Sequence, residues 1–177
     1  SAKNPVTGSY DTVYQTVFAD CLNLEEINLN KVNKIGKYAF VNTISLKSID
    51  LTKVTNISNY AFKGSGLESV DLANVSTVGT YVFQNCLRLK TVTNLKKTGN
   101  YMFSGCIALE SIDLSGVSTL SNGSFSGCTA LSSITFGAAM TAIPAEAFSG
   151  CAALESVTIP GSITTINKKA FNKCLSL

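Results

Sequence analysis

FSGCTALSSITFGAAMTAIPAEAF, Phe125 to Phe148, is one turn of a repeat whose frame of Phe, Cys, Leu, Ile and Phe recurs along nearly the whole chain. Phenylalanine falls at Phe18, Phe40, Phe62, Phe83, Phe103, Phe125, Phe148 and Phe171, in steps of 22, 22, 21, 20, 22, 23 and 23 residues. A fixed period in this range is the signature of a solenoid, in which each turn buries its apolar face only by stacking on its neighbours. Three residues after each Phe comes the column Cys21, Thr43, Ser65, Cys86, Cys106, Cys128, Cys151 and Cys174. The leucines follow at Leu24, Leu46, Leu67, Leu89, Leu109, Leu131, Leu154 and Leu177.

Beyond each leucine, apolar and polar residues alternate, as in Leu154, Val157 and Ile159. That period predicts one half-buried strand per turn, paired in parallel with the next. Further apolar pairs, among them Val32 and Ile35, Val54 and Ile57, Val117 and Leu120, and Met140 and Ile143, close the opposite wall. Just before the cysteine column stand Asp20, Asn42, Gly64, Asn85, Gly105, Gly127, Gly150 and Lys173. All but the lysine tolerate positive φ, so a fixed left-handed turn is expected there, with Lys173 as the departure.

These residues resemble leucine-rich repeats of the BspA-like, or Treponema-type, bacterial and protozoan cell-surface family. The matching runs are IPGSITTINKKAFNKC and FGAAMTAIPAEAFSGC, where strand end, Ser/Thr-rich corner, aliphatic residue and Ala-Phe-x-x-Cys fall in order. The resemblance covers roughly Tyr10 to Leu177 and departs at Thr43 and Ser65, at the early Leu67, and at the shortened stretch Thr93 to Leu95. It implies an α/β solenoid: a right-handed leucine-rich repeat superhelix with a parallel β-sheet on the concave side and short helical or irregular convex segments. It also implies a secreted or cell-surface protein used for attachment or recognition.

With 177 residues, 45% of them hydrophobic and 14% charged, the chain reads as one domain over 1–177, of about seven to eight turns, without the charge excess of a disordered segment. Neither end reads as a polar cap, so a fragment of a longer chain is expected. No apolar run approaches the length of a membrane span, and SAKNPVTGSY carries no secretory h-region. The net charge of +3 hides a bias: residues 1–97 hold eleven Lys/Arg against seven Asp/Glu, and 98–177 hold three against four. That falls short of the clustered basic stripe of a nucleic-acid binder.

Several columns invite a functional reading. The six cysteines sit about 4.8 Å apart on parallel strands with side chains aligned, the wrong geometry for disulfides and for tetrahedral zinc, so they read as small buried thiols. Glu25, Lys47, Glu68, Lys90 and Glu110 alternate in sign from turn to turn and are expected to pair across strands. The concave face shows Asn28, Asp50, Asp71, Thr93, Asp113, Thr135 and Thr158 in one column beside a serine-rich one, which makes it a candidate binding surface. Asp50 and Asp71 lie on adjacent turns, where like charges would raise one carboxyl or hold calcium, against the simpler reading of a solvated sheet face. Tyr38, Tyr60, Tyr81 and Tyr101 each stand two residues before their Phe and form either packed convex corners or an aromatic patch for a partner or sugar ring. Asn56, Asn74 and Asn122 open N-x-[ST] triplets, which arise easily by chance here.

The absence of histidine removes every Ser-His and Cys-His arrangement, and no phosphate-binding glycine motif is present, so no enzyme activity, cofactor or metal site is expected. Two readings remain. One is a monomeric adhesion module that binds a protein or glycan ligand on a host or neighbouring cell, without nucleic acid or membrane insertion. The other is a non-catalytic spacer or recognition arm of a larger surface protein or secreted enzyme.

Overall fold

The computed structural model describes residues 12–177, so the expected start of the first turn at Tyr10 lies outside the described residues. The chain coils through turns that stack in register. Two runs of parallel strands mark two walls of the coil. One comprises β1 (Thr12–Val13), β2 (Lys34–Ile35), β3 (Asn56–Ile57) and β5 (Thr77–Val78) in order, and resumes as β9 (Ala142–Ile143) with β10 (Thr165–Ile166). The other comprises β4 (Ser69–Asp71) with β6 (Thr91–Thr93), and β7 (Ser111–Leu114) with β8 (Ser133–Phe136). The expectation of one strand per turn is therefore corrected. The aliphatic wall that begins at Val32 and Ile35 is itself a ladder of two-residue strands.

The interior is built from the expected columns. Phe40, Phe62, Phe83, Phe103, Phe125 and Phe148 are fully buried. Their rings stack turn upon turn at 5.2 to 5.5 Å, nearly parallel. The leucines from Leu46 to Leu154 line the same core. Burying a side chain of this size contributes roughly 1.5 to 3 kcal/mol, so each turn depends on the pair that flanks it.

Of the short helical or irregular convex segments implied by the resemblance, the irregular form is the one found: no helix occurs among the described residues. The reason lies in two left-handed columns. Asp20, Asn42, Gly64, Asn85, Gly105, Gly127, Gly150 and Lys173 all have φ between 56° and 80°, so even the departing lysine adopts the turn. Four residues earlier, Thr16, Tyr38, Tyr60, Tyr81, Tyr101, Gly123, Glu146 and Lys169 are also left-handed. A helix needs consecutive right-handed residues, and a reversal every four positions prevents one. The amides turn to the next coil instead, as where Phe62 N–H donates to the Val82 carbonyl at 2.9 Å and Phe125 N–H to Ala147 at 2.8 Å.

The aliphatic ladder breaks where Thr98 takes the place of an aliphatic residue. Thr98 is buried, and its hydroxyl lies 2.8 Å from that of Ser124 and accepts the Ser121 N–H at 2.8 Å. The Ser121 hydroxyl returns to the Thr98 carbonyl at 2.7 Å. Three hydroxyl residues thus tie the shortened turn to the one after it.

Candidate functional site

The polar strand-face column is held in register by the backbone. Asp71 faces Thr93 and Asp113 faces Thr135 across parallel pairs, and all four are exposed. Asn28, Asp50 and Thr158 are exposed too but fall outside regular strand. The serine-rich row beside them pairs likewise, Ser69 with Thr91 and Ser111 with Ser133. The expected column exists, although only its middle is true sheet.

Its carboxylates have local work that the residue pattern did not show. Oδ1 of Asp50 accepts the Thr52 N–H at 2.9 Å, that of Asp71 the Ala73 N–H at 3.0 Å, and that of Asp113 the Ser115 N–H at 2.8 Å. Asn28 makes the same bond to the Asn30 N–H at 2.9 Å. Each is an Asx turn that satisfies an otherwise unpaired amide, and at Asp71 and Asp113 it closes a strand. Asn94 adds a side-chain bond to Asp71 at 2.8 Å.

These donors lower the carboxyl pKa values: the turn amide of Thr52 for Asp50, the Asn94 side chain and then the Ala73 amide for Asp71, and the Ser115 amide for Asp113. The like-charge elevation expected for Asp50 and Asp71 is overturned, because hydrogen bonds to the charged form outweigh repulsion across open solvent. Among the described residues no group of three His, Cys, Asp or Glu side chains converges as a metal cage.

The tyrosines do form a ladder. Tyr38 and Tyr60 stack at 4.8 Å, Tyr60 and Tyr81 at 4.9 Å, and Tyr81 and Tyr101 at 5.3 Å. Each residue pays about 1 to 2 kcal/mol for its left-handed backbone, which ring stacking worth about 0.5 to 1.5 kcal/mol beyond area burial helps to offset. Lys37 Nζ sits 4.9 Å from the Tyr38 ring centre and Lys63 Nζ 5.7 Å from that of Tyr60. Burial, with the neighbouring phenols, raises the Tyr60 pKa. Because the rings cover one another face to face, the ladder offers edges and hydroxyls outward. A sugar that stacks needs a free ring face, and the inner rings have none.

At its far end the Tyr101 ring leans over Gly123, where a Cβ would lie 2.2 Å from the ring. Its hydroxyl donates to Glu146 at 3.0 Å. The other left-handed positions of this column carry side chains, so it is the ring, not the φ of 62°, that leaves room only for glycine at 123.

All six cysteines are free. Each buried thiol donates to the carbonyl of the preceding turn's Phe: Cys86 to Phe62 at 3.1 Å, Cys106 to Phe83 at 3.2 Å and Cys128 to Phe103 at 3.2 Å. Thr43 donates to Phe40 instead, and Ser65 meets Cys86 at 3.3 Å, which explains why hydroxyls fill the column. Burial pushes the Cys86 and Cys128 thiols up to about 12 and raises Cys106 and Cys151 strongly. Among the described residues the alternating Glu and Lys column forms no ion pairs. Its turns are joined by main-chain bonds such as Lys90 N–H to the Glu68 carbonyl at 2.9 Å.

One surface feature escaped the sequence reading. Of the residues directly after the cysteine column, Leu22, Ile44, Leu87 and Ile107 point outward and are 45 to 54% exposed. The signal was an aliphatic residue recurring where the frame has no further core wall to fill.

A parallel coil with a phenylalanine spine and a polar strand face defines a leucine-rich repeat solenoid. Family comparison narrows this: the BspA type leucine rich repeat region matches residues 11–113 and 55–177, in six copies, and the chain belongs to that family. A solved leucine-rich repeat protein from Eubacterium ventriosum is 34% identical over 81% of this chain and 41% of its own, with a TM-score of 0.73. This chain therefore spans well under half of that relative. The Treponema pallidum leucine rich repeat protein shares the fold at 23% identity, covering 94% of this chain and 71% of its own with a TM-score of 0.60. A leucine rich cell surface protein of Faecalibacterium prausnitzii does so at 21%, covering 95% and 69%, with a TM-score of 0.53. No curated protein sequence matches the chain. No helix among the described residues is long and apolar enough to cross a membrane.

Proposed function

We propose that this chain is a non-catalytic binding module of a secreted or cell-surface protein, and that it meets a protein or glycan ligand through its strand face. The observation that carries the reading is the pair of exposed polar rows held in strand register, Ser69 with Thr91 and Asp71 with Thr93, then Ser111 with Ser133 and Asp113 with Thr135. Extended sheet faces are how solenoids bind, through many weak polar contacts rather than one pocket. On this reading the face is the concave wall of a right-handed coil, and the module acts as a monomer. The cell-surface description of the Faecalibacterium relative supports the location. The tyrosine ladder is the spine that keeps the turns aligned.

Binding of the purified chain to arrayed matrix proteins, mucins and glycans tests this. Saturable binding is expected, and Asp50→Asn, Asp71→Asn and Asp113→Asn together weaken it while the fold persists, because Asn28 shows that an amide oxygen closes the same turn. Binding that ignores the triple variant rejects the strand face. No binding to any ligand class favours a spacer arm.

A further inference from the structure

Between Leu22 and Ile107 the outward aliphatic row is interrupted once. In every other turn the leucine follows the cysteine-column residue by three positions, but Leu67 follows Ser65 by two, so Gly66 alone stands between the rows of Ile44 and Leu87. The missing residue leaves a notch of about 390 Å³, walled by Ile44 and Leu87, floored by Ser65 and Gly66, and rimmed by Asn85 and Arg88. Ile44 is 51% exposed and Leu87 54%. A Cβ on Gly66 would lie 2.1 Å from the Ile44 carbonyl oxygen, so the backbone is too close for a side chain to fill the notch from within.

Its rim is not satisfied by the fold. Among the described residues the Arg88 guanidinium has no carboxylate partner and the Asn85 side-chain amide makes no hydrogen bond. Asn42, on the far side, is already tied to Asp20 at 2.9 Å. Two aliphatic walls one side chain apart, a single unpaired cation and a free amide are the complement of a short peptide. They do not suit a membrane, which needs a broad apolar face with several cations.

We propose that this notch docks a linear acidic and aliphatic segment of a partner protein. A leucine or isoleucine side chain seats between Ile44 and Leu87, a neighbouring Asp or Glu pairs with Arg88, and the Asn85 amide bonds the peptide main chain. The site lies apart from the strand face and does not depend on the function proposed for it.

The test follows the backbone amide NMR signals of the isotope-labelled chain during titration with the acetylated, amidated peptide Glu-Asp-Leu-Ile-Glu. Two control peptides replace its acids by Lys or its Leu-Ile by Ser-Ser. Saturable shifts are expected at Ile44, Gly66, Leu87 and Arg88, and roughly fivefold weaker binding of either control, since rim charge and apolar seat both contribute. Arg88→Glu should reverse the preference between acidic and basic peptides, and Leu87→Ser should weaken both; the exposed positions leave the unfolding midpoint in place. Shifts that map to Ser69 and Thr91 would overturn the notch while supporting the strand face. Equal response to the basic peptide, or no saturation at millimolar peptide, also overturns it.

Discussion

The Tyr101 hydroxyl donates to the Glu146 carboxylate 3.0 Å away, reaching across a whole intervening turn over the bare backbone of Gly123. This bond ends the tyrosine ladder and joins it to the second half of the coil. The bond to Glu146, and then burial, raise the phenol pKa. A raised phenol contributes stability that is present below about pH 10 and is lost as pH rises through its folded value. Thermal unfolding from pH 9 to 11 should show a falling midpoint, and Tyr101→Phe should flatten part of that fall while costing about 0.5 to 1.5 kcal/mol at neutral pH. An alkaline limb unchanged in the variant would disprove the coupling.

The strand-end carboxylates act at the other extreme of pH. Asp50, Asp71 and Asp113 are lowered, so their contribution is present above about pH 4 and disappears as pH falls through their folded values. The triple Asn variant should keep its neutral-pH midpoint and lose less stability between about pH 4 and 2. A variant that is as acid-sensitive as the parent would show that these turns do not hold the charge.

Thr98→Val restores the aliphatic residue that the column prefers, yet it should destabilise. It removes the acceptor of the Ser121 N–H and the partner of the Ser124 hydroxyl inside a buried network. A cost of about 1 to 3 kcal/mol is expected from denaturant unfolding. A gain would mean that the hydroxyl network contributes nothing beyond its volume.

Thiol labelling of the native chain at pH 8 should modify exposed Cys21 quickly and half-buried Cys174 slowly. Cys86, Cys106, Cys128 and Cys151 should react only on unfolding, since the thiolate is the nucleophile and burial suppresses it. Rapid labelling of all six would mean that the core register is wrong.

Much of this was legible in the residues. The phenylalanine period fixed the coil, because only stacking buries that face, and the Asp/Asn/Gly column announced a left-handed turn that Lys173 then obeyed. The cysteine slot was legible as core because Thr43 and Ser65 share it, but burial holds only for the inner turns: Cys21 is exposed and Cys174 half-buried. The second left-handed column was not legible, since tyrosine has no intrinsic liking for positive φ. What recurs through the column is a main-chain bond to the next turn, such as Tyr60 N–H to the Thr80 carbonyl at 3.0 Å and Glu146 N–H to the Lys168 carbonyl at 3.1 Å, and that contact lies some twenty residues away in sequence. The same distance hid the amides that go to the next coil and so decide for irregular rather than helical convex segments.

By itself, then, the sequence determined the repeat, the core columns and the polar strand face, all of which follow from local periodicity and the need to bury apolar side chains. Only the tertiary structure decided that the aspartates close turns, that the tyrosines cover one another's faces, and that one deleted residue at Gly66 opens a notch between Ile44 and Leu87. These depend on which atoms adjacent turns bring within a few ångströms, and stacking register sets that.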